Sequence, residues 1–112
     1  MRAISILFIL FVSIGCEADR NITVQEAHEY LGNEDILFLD VRTRQEFVNE
    51  GRIKNAILIP VSVLERRLAE LDQHKEKKII VYCRSGRRSQ IATDILINNN
   101  FCLLYTSDAA DE

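Results

Sequence analysis

A cysteine in the second half of the chain is followed at once by a cluster of arginines. Cys83 comes directly after the apolar segment 79–82, whose residues favour a buried strand. Ser85 and Gly86 break the strand pattern, and apolar residues recur at helical spacing after Ser89. A thiol between a strand end and a helix start would face backbone N–H groups, which favour the nucleophilic thiolate.

Arg84, Arg87 and Arg88 add positive charge around this turn, which favours a thiolate and attracts anionic substrates. A lone cysteine after a strand is more often a small buried hydrophobe, and arginines are usually solvated. Because so many arginines would line a core poorly, we interpret Cys83 as a catalytic nucleophile. The predicted substrate-binding residues are Arg84, Ser85, Gly86, Arg87, Arg88 and Ser89.

Three segments in order resemble one known family. Residues 83–89 resemble the active-site loop of rhodanese-type sulfurtransferases. Residues 38–42 with 46–47 resemble the early strand and turn of that family, and residues 51–60 resemble its Gly-His-Ile segment. The resemblance covers residues 22–101 and implies a single-domain rhodanese-like sulfurtransferase.

The resemblance also implies a chemistry. Sulfur transfer goes with a loop of the form Cys-x4-Arg, as from Cys83 to Arg88, whereas related phosphatases use a loop one residue longer, where this chain has Ser89. A Cys83 persulfide would carry sulfur from a small-molecule donor such as thiosulfate to a thiol or cyanide acceptor, with no metal or organic cofactor. The alternative is a non-catalytic rhodanese-like binding or regulatory module, although such modules often lack the cysteine.

Short apolar strands alternate with helices along the chain, which is typical of an α/β domain with a mostly parallel sheet. Capping boxes at Thr23, Thr43 and Ser62 predict three helix starts. The resemblance implies three layers, with helices on both faces of the central sheet. Parallel sheets place sites beyond the carboxyl ends of their strands, which is where Cys83 lies.

Asp40 and Arg42 follow the end of a predicted strand. They could line the mouth of the site as supporting residues, or they could form a structural salt bridge. His28 lies in a polar stretch of the first predicted helix and His74 in a charged turn. Neither belongs to a pattern of metal ligands, so we expect both at the surface and predict no metal site.

The first sixteen residues have the pattern of an export signal, with Arg2 before an apolar run. The run 4–14 is shorter than the roughly 20 apolar residues of a membrane-spanning helix. Residues 12–16 resemble a bacterial lipobox, which would make Cys16 the lipidated first residue of the mature protein. We therefore expect export to the periplasm or cell envelope with a lipid anchor, and plain secretion is the alternative.

Residues 102–112 resemble an in-frame translation of a sequencing adapter. We therefore assign residues 1–16 to the signal, 17–101 to an incomplete rhodanese-like domain and 102–112 to a non-native tail. The resemblance then implies that the last strand and the last helix of the fold are missing. The alternative is that residues 103–106 form a genuine short strand.

The formal net charge of −3 and an aromatic content of 7% give no basic surface with stacking platforms. We expect no nucleic-acid partner, and contact with a membrane only through the signal or lipid anchor. The sequence leaves the oligomeric state open.

Overall fold

The computed structural model describes residues 20–107. The predicted signal, the lipidation site at Cys16 and residues 108–112 lie outside the described residues. The described elements, in chain order, are β1 (Arg20–Asn21), α1 (Val24–Glu29), β2 (Ile36–Asp40), α2 (Arg44–Asn49), β3 (Ile57–Leu58), a 3₁₀ segment (Val61–His74), β4 (Lys78–Tyr82), α3 (Arg87–Asn98) and β5 (Leu104–Ser107).

The strands form one five-stranded sheet in the order β1-β5-β4-β2-β3, and every neighbouring pair is parallel. β4 lies in the middle, with Val81 opposite Leu39 of β2 on one side and Thr106 of β5 on the other. The carboxyl ends of all the strands therefore meet at one edge of the sheet. The predicted α/β fold with a parallel sheet is confirmed.

Successive side chains of a strand point to opposite faces of the sheet, and the side chains of the central strands are buried on both faces. Leu39 and Val81 belong to a core with α3 and the 3₁₀ segment, whereas Phe38 and Ile80 belong to a second core with Ala27 of α1. Helical layers therefore cover both faces, as predicted.

Two of the three predicted capping boxes are present. The hydroxyl of Thr23 accepts from the N–H of Glu26, and Thr43 makes the same contact with Glu46. The prediction at Ser62 is wrong, because the 3₁₀ segment begins after Pro60 without a side-chain cap. The fixed φ of proline, −55° here, already directs the chain into the turn.

The prediction that the last strand is missing is wrong. β5 lies between β1 and β4 inside the sheet, with Leu104 completely buried in the larger core. Its backbone pairs with β1 on one side and with β4 on the other, so the alternative of a genuine strand describes the fold. The predicted adapter origin of residues 102–112 stays a prediction, and the predicted loss of the last helix concerns residues beyond the described ones.

No helix within residues 20–107 is long and apolar enough to cross a membrane. In the same part of the chain, no group of three His, Cys, Asp or Glu residues could hold a metal ion.

If β5 contributes to the core, its buried leucine must contribute to stability. Leu104→Ala should lower the free energy of unfolding by about 2–5 kcal/mol, because it leaves a cavity between the sheet and α3. Urea denaturation of the full chain measures this change. Leu103→Ala is the matched control, since Leu103 is 37% exposed, and equal effects of the two substitutions would contradict the placement of β5.

Candidate active site

Cys83 lies one residue beyond β4, at the middle of the carboxyl edge of the sheet. Its backbone N–H donates to the carbonyl of Ser107 at 3.4 Å, which ties the start of the loop to the end of β5. The side chain is a free thiol with no solvent exposure.

The loop after Cys83 turns back over the sulfur. Gly86 has φ +82°, a left-handed conformation that glycine adopts without steric cost, and it caps the start of α3. The backbone N–H of Gly86 donates to Cys83 Sγ at 3.1 Å, and the N–H of Ser89 donates at 3.2 Å. Two backbone donors together with the positive end of a helix are the arrangement that stabilises an anionic sulfur.

Ser89 is completely buried and contacts the sulfur through its hydroxyl as well. Its Oγ lies 3.5 Å from Cys83 Sγ and donates to the carbonyl of Gly86 at 2.9 Å. Ser89 therefore links the first turn of α3 back to Gly86 and to Cys83 within the loop. The serine predicted to bind substrate also holds the turn.

The structure separates the arginines that the sequence grouped together. Arg88 forms a bidentate ion pair with Glu46 of α2, in which Nη1 and Nη2 donate to the two carboxylate oxygens at 2.5 and 2.8 Å. Arg84 is largely exposed and pairs with Glu50 at 3.3 Å. Arg87 is exposed and forms no ion pair among residues 20–107. Arg87 is therefore the arginine of the loop whose charge is open to an incoming anion.

The ion pair with Arg88 holds the pKa of Glu46 at about 2, aided by hydrogen bonds from Thr43 and opposed by burial. Glu46 in turn raises the pKa of Arg88, and the charge of Cys83 adds to this effect. Sequence reasoning assigned Glu46 only to its helix cap. Its second role arises because the fold brings α2 against the start of α3, which no local pattern indicates.

Asp40 and Arg42 form the structural salt bridge that was one of the two predicted alternatives. The pair is fully buried, with Arg42 Nη2 2.8 Å from Asp40 Oδ2. Arg42 also donates to the carbonyl of Gly51 at 2.7 Å, so it fixes the chain that leaves α2. Burial raises the pKa of the neighbouring Tyr82 phenol, and the charge of Asp40 raises it further.

A cleft of about 440 Å³ opens beside the thiol loop. One wall carries Ser85, Gly86 and Ser89, and the end of β5 supplies Thr106 and Ser107. Sequence reasoning missed the last two, because it placed them in the tail outside the domain. The residues Tyr105 and Thr106, which favour strands, were the signal that could have found them.

The chain is similar to known proteins in family, sequence and fold. The family model described as "Rhodanese-like domain" matches residues 23–107. The chain is similar to a sulfurtransferase of Allochromatium vinosum, with 34% identity over 61% of each chain. It is also similar to the tRNA uridine(34) hydroxylase of Hamiltonella defensa, with 32% identity over 75% of this chain but only 24% of that protein.

A solved structure, a rhodanese-related protein from Thermoplasma volcanium, matches with a TM-score of 0.70 and 28% identity. The match covers 81% of this chain and 85% of that one. The chain therefore spans most of this structure but about a quarter of the length of the matched hydroxylase.

The ion pair between Glu46 and Arg88 predicts a pH-dependent contribution to stability. The folded-state pKa of Glu46 lies at about 2, below the ordinary 4.5, so its contribution is complete above pH 4.5 and is lost as the pH falls towards 2. At pH 7, Glu46→Gln should lower the free energy of unfolding by about 2 kcal/mol, because a charged hydrogen-bonded pair is lost.

Urea denaturation at pH 7, 5 and 3 measures this difference, which should shrink at the lowest pH. Glu65→Gln is the control, because Glu65 is exposed and forms no ion pair within residues 20–107. A difference between wild type and Glu46→Gln that does not change with pH would contradict the assignment.

Proposed function

The chain belongs to the rhodanese-like family, and from this membership we propose that it transfers a sulfane sulfur through a persulfide on Cys83. The observation that carries the proposal is the pair of backbone N–H groups, from Gly86 and Ser89, that hold Cys83 Sγ. The sulfurtransferase among its relatives supports the same chemistry.

The proposed reaction has two steps. The Cys83 thiolate attacks the outer sulfur of a donor such as thiosulfate, a new S–S bond forms, and sulfite leaves with the electron pair of the broken bond. A thiolate or cyanide then attacks the outer sulfur of the persulfide, and the electron pair returns to Cys83 Sγ. The same two N–H groups serve both steps, because the sulfur is anionic before the first step and after the second.

The three arginines of the loop have different electrostatic roles in this proposal. Arg88 is held by Glu46 and keeps a fixed positive charge near the sulfur. Arg87 is exposed, so it is the residue we assign to the anionic end of the donor. Arg84 shares its charge with Glu50 and would assist the approach of anions.

A non-catalytic module is the alternative, and the persulfide itself distinguishes the two. Mass spectrometry of the full chain after incubation with thiosulfate should find one added sulfur atom on Cys83. Cys83→Ser should abolish both the added sulfur and the turnover to thiocyanate with cyanide. A wild-type chain that gains no sulfur would contradict the proposal that the protein is an enzyme.

Two arginine variants refine the same experiment. Arg87→Ala should raise the KM for thiosulfate by about tenfold, because one charged contact is worth about 1.5 kcal/mol. Arg66→Ala is the control, because Arg66 lies on the exposed side of the 3₁₀ segment. Equal KM values for these two variants would show that Arg87 does not meet the donor.

We further propose that the protein is exported and carries a lipid on Cys16. The support is the residue pattern of the first sixteen positions, in which an apolar run ends in small residues before a cysteine. Export would place the thiol loop in the cell envelope, where small sulfur compounds are its substrates.

Metabolic labelling of the full chain with radioactive palmitate in a bacterial host tests this proposal. The wild type and Cys83→Ser should both be labelled, whereas Cys16→Ala should not. Export without label would favour plain secretion, and retention of the chain in the cytoplasm would contradict both forms of the proposal.

A further inference from the structure

Two hydroxyl groups at the end of β5 have no hydrogen-bond partner among residues 20–107. They belong to Thr106, which is 4% exposed, and Ser107, which is 2% exposed. A buried hydroxyl without a partner raises the free energy of the fold, so such groups call for an explanation. Both residues line the cleft beside the thiol loop, where a bound molecule could supply the missing partner.

The opposite wall of this cleft belongs to the machinery that holds the sulfur. Gly86 and Ser89 line the cleft, and their backbone N–H groups donate to Cys83 Sγ. The exposed hydroxyl of Ser85 lies on the same wall. A molecule in the cleft would therefore contact residues that hold Cys83 Sγ, although Cys83 itself does not line the cleft.

The charge of the cleft differs from that of the loop as a whole. None of the residues that line it, all within the described part of the chain, carries a formal charge, and the arginines of the loop are not among them. The lining presents hydroxyl and amide groups, including those of Asn21 at the end of β1 and of Thr23 at the start of α1. Its volume of about 440 Å³ is within the range of small-molecule sites.

We propose that this cleft binds the sulfur acceptor, a small thiol that carries uncharged hydroxyl or amide groups, and that Thr106 and Ser107 select it by hydrogen bonds. This inference rests on the proposed sulfur transfer. The acceptor thiolate attacks the outer sulfur of the Cys83 persulfide, a new S–S bond forms, and the old one breaks. The electron pair returns to Cys83 Sγ, and the acceptor leaves as a persulfide.

The register of the sheet shows which of the two hydroxyls lies on the same face as the thiol. Thr106 pairs with Val81, whose side chain lies in the same core as that of Cys83. Ser107 pairs with Tyr82, which lies in the core on the other face. Because side chains alternate along a strand, Thr106 faces the layer of the thiol and Ser107 faces the layer of α1. The hydroxyl of Thr106 therefore has the larger part in selecting the acceptor.

The test is a single-turnover transfer with the full chain. Wild type is loaded with thiosulfate and freed of excess donor, and the loss of the Cys83 persulfide is followed with 2-mercaptoethanol, 1-propanethiol or cyanide below saturation. Wild type should react faster with 2-mercaptoethanol than with 1-propanethiol, after correction for their thiolate fractions. Equal corrected rates for the two thiols would overturn the proposal without any variant.

The variants test the residues. Thr106→Val should slow transfer to 2-mercaptoethanol by about fivefold and Ser107→Ala by about twofold, the loss expected for one hydrogen bond. Transfer to 1-propanethiol and cyanide should not change, and Thr106→Ser should restore the preference because it keeps the hydroxyl. Ser62→Ala, which removes an exposed hydroxyl from the 3₁₀ segment, is the control.

The outcomes separate this inference from the proposed function. A wild type that acquires no persulfide would overturn sulfur transfer and the acceptor cleft together. A wild type that is loaded normally, with variants that slow all three acceptors equally or none, would overturn the cleft alone. Thermal unfolding of Thr106→Val should show no loss of stability, because the hydroxyl it removes has no partner in residues 20–107.

Discussion

The hydrogen bonds from the backbone N–H groups of Gly86 and Ser89 to Cys83 Sγ are the contacts on which the site depends. They require a strand that ends at the cysteine, a left-handed glycine and a helix that begins at once. β4, in the middle of the parallel sheet, supplies the first of these, and α3 supplies the last. Backbone donors are held by the fold itself, so they need no reorganisation when the charge on the sulfur changes.

Charge around this loop is distributed by contacts from distant parts of the chain. The carboxylate of Glu46 accepts hydrogen bonds from both terminal nitrogens of Arg88. The buried pair of Asp40 and Arg42 fixes the chain that leaves α2, because Arg42 also donates to the carbonyl of Gly51. A buried ion pair is weak evidence for stability by itself, but removal of one partner is strongly destabilising. These pairs are best understood as positioning contacts, whereas Arg87 is exposed to solvent.

β5 contributes both to the sheet and to the candidate site. It completes the sheet between β1 and β4, and its last residues form one wall of the cleft beside the thiol loop. The sequence alone predicts that this segment lies outside the domain, because residues 102–112 resemble an in-frame translation of a sequencing adapter. The segment nevertheless fills the gap between β1 and β4, and pairing with two neighbouring strands is a tertiary gain that the resemblance does not reveal.

The sequence alone determined the α/β class, the position of Cys83 after a strand and the turn that opens α3. These features depend on hydrophobic periodicity and on glycine within a few neighbouring residues. It also determined the capping boxes at Thr23 and Thr43, which are local for the same reason. Only the tertiary structure decided that Arg88 is bound by Glu46 while Arg87 is not, and that Thr106 lines the cleft. Those contacts join residues far apart in the chain, and their partners are chosen by the packing of whole elements rather than by any spacing along the sequence.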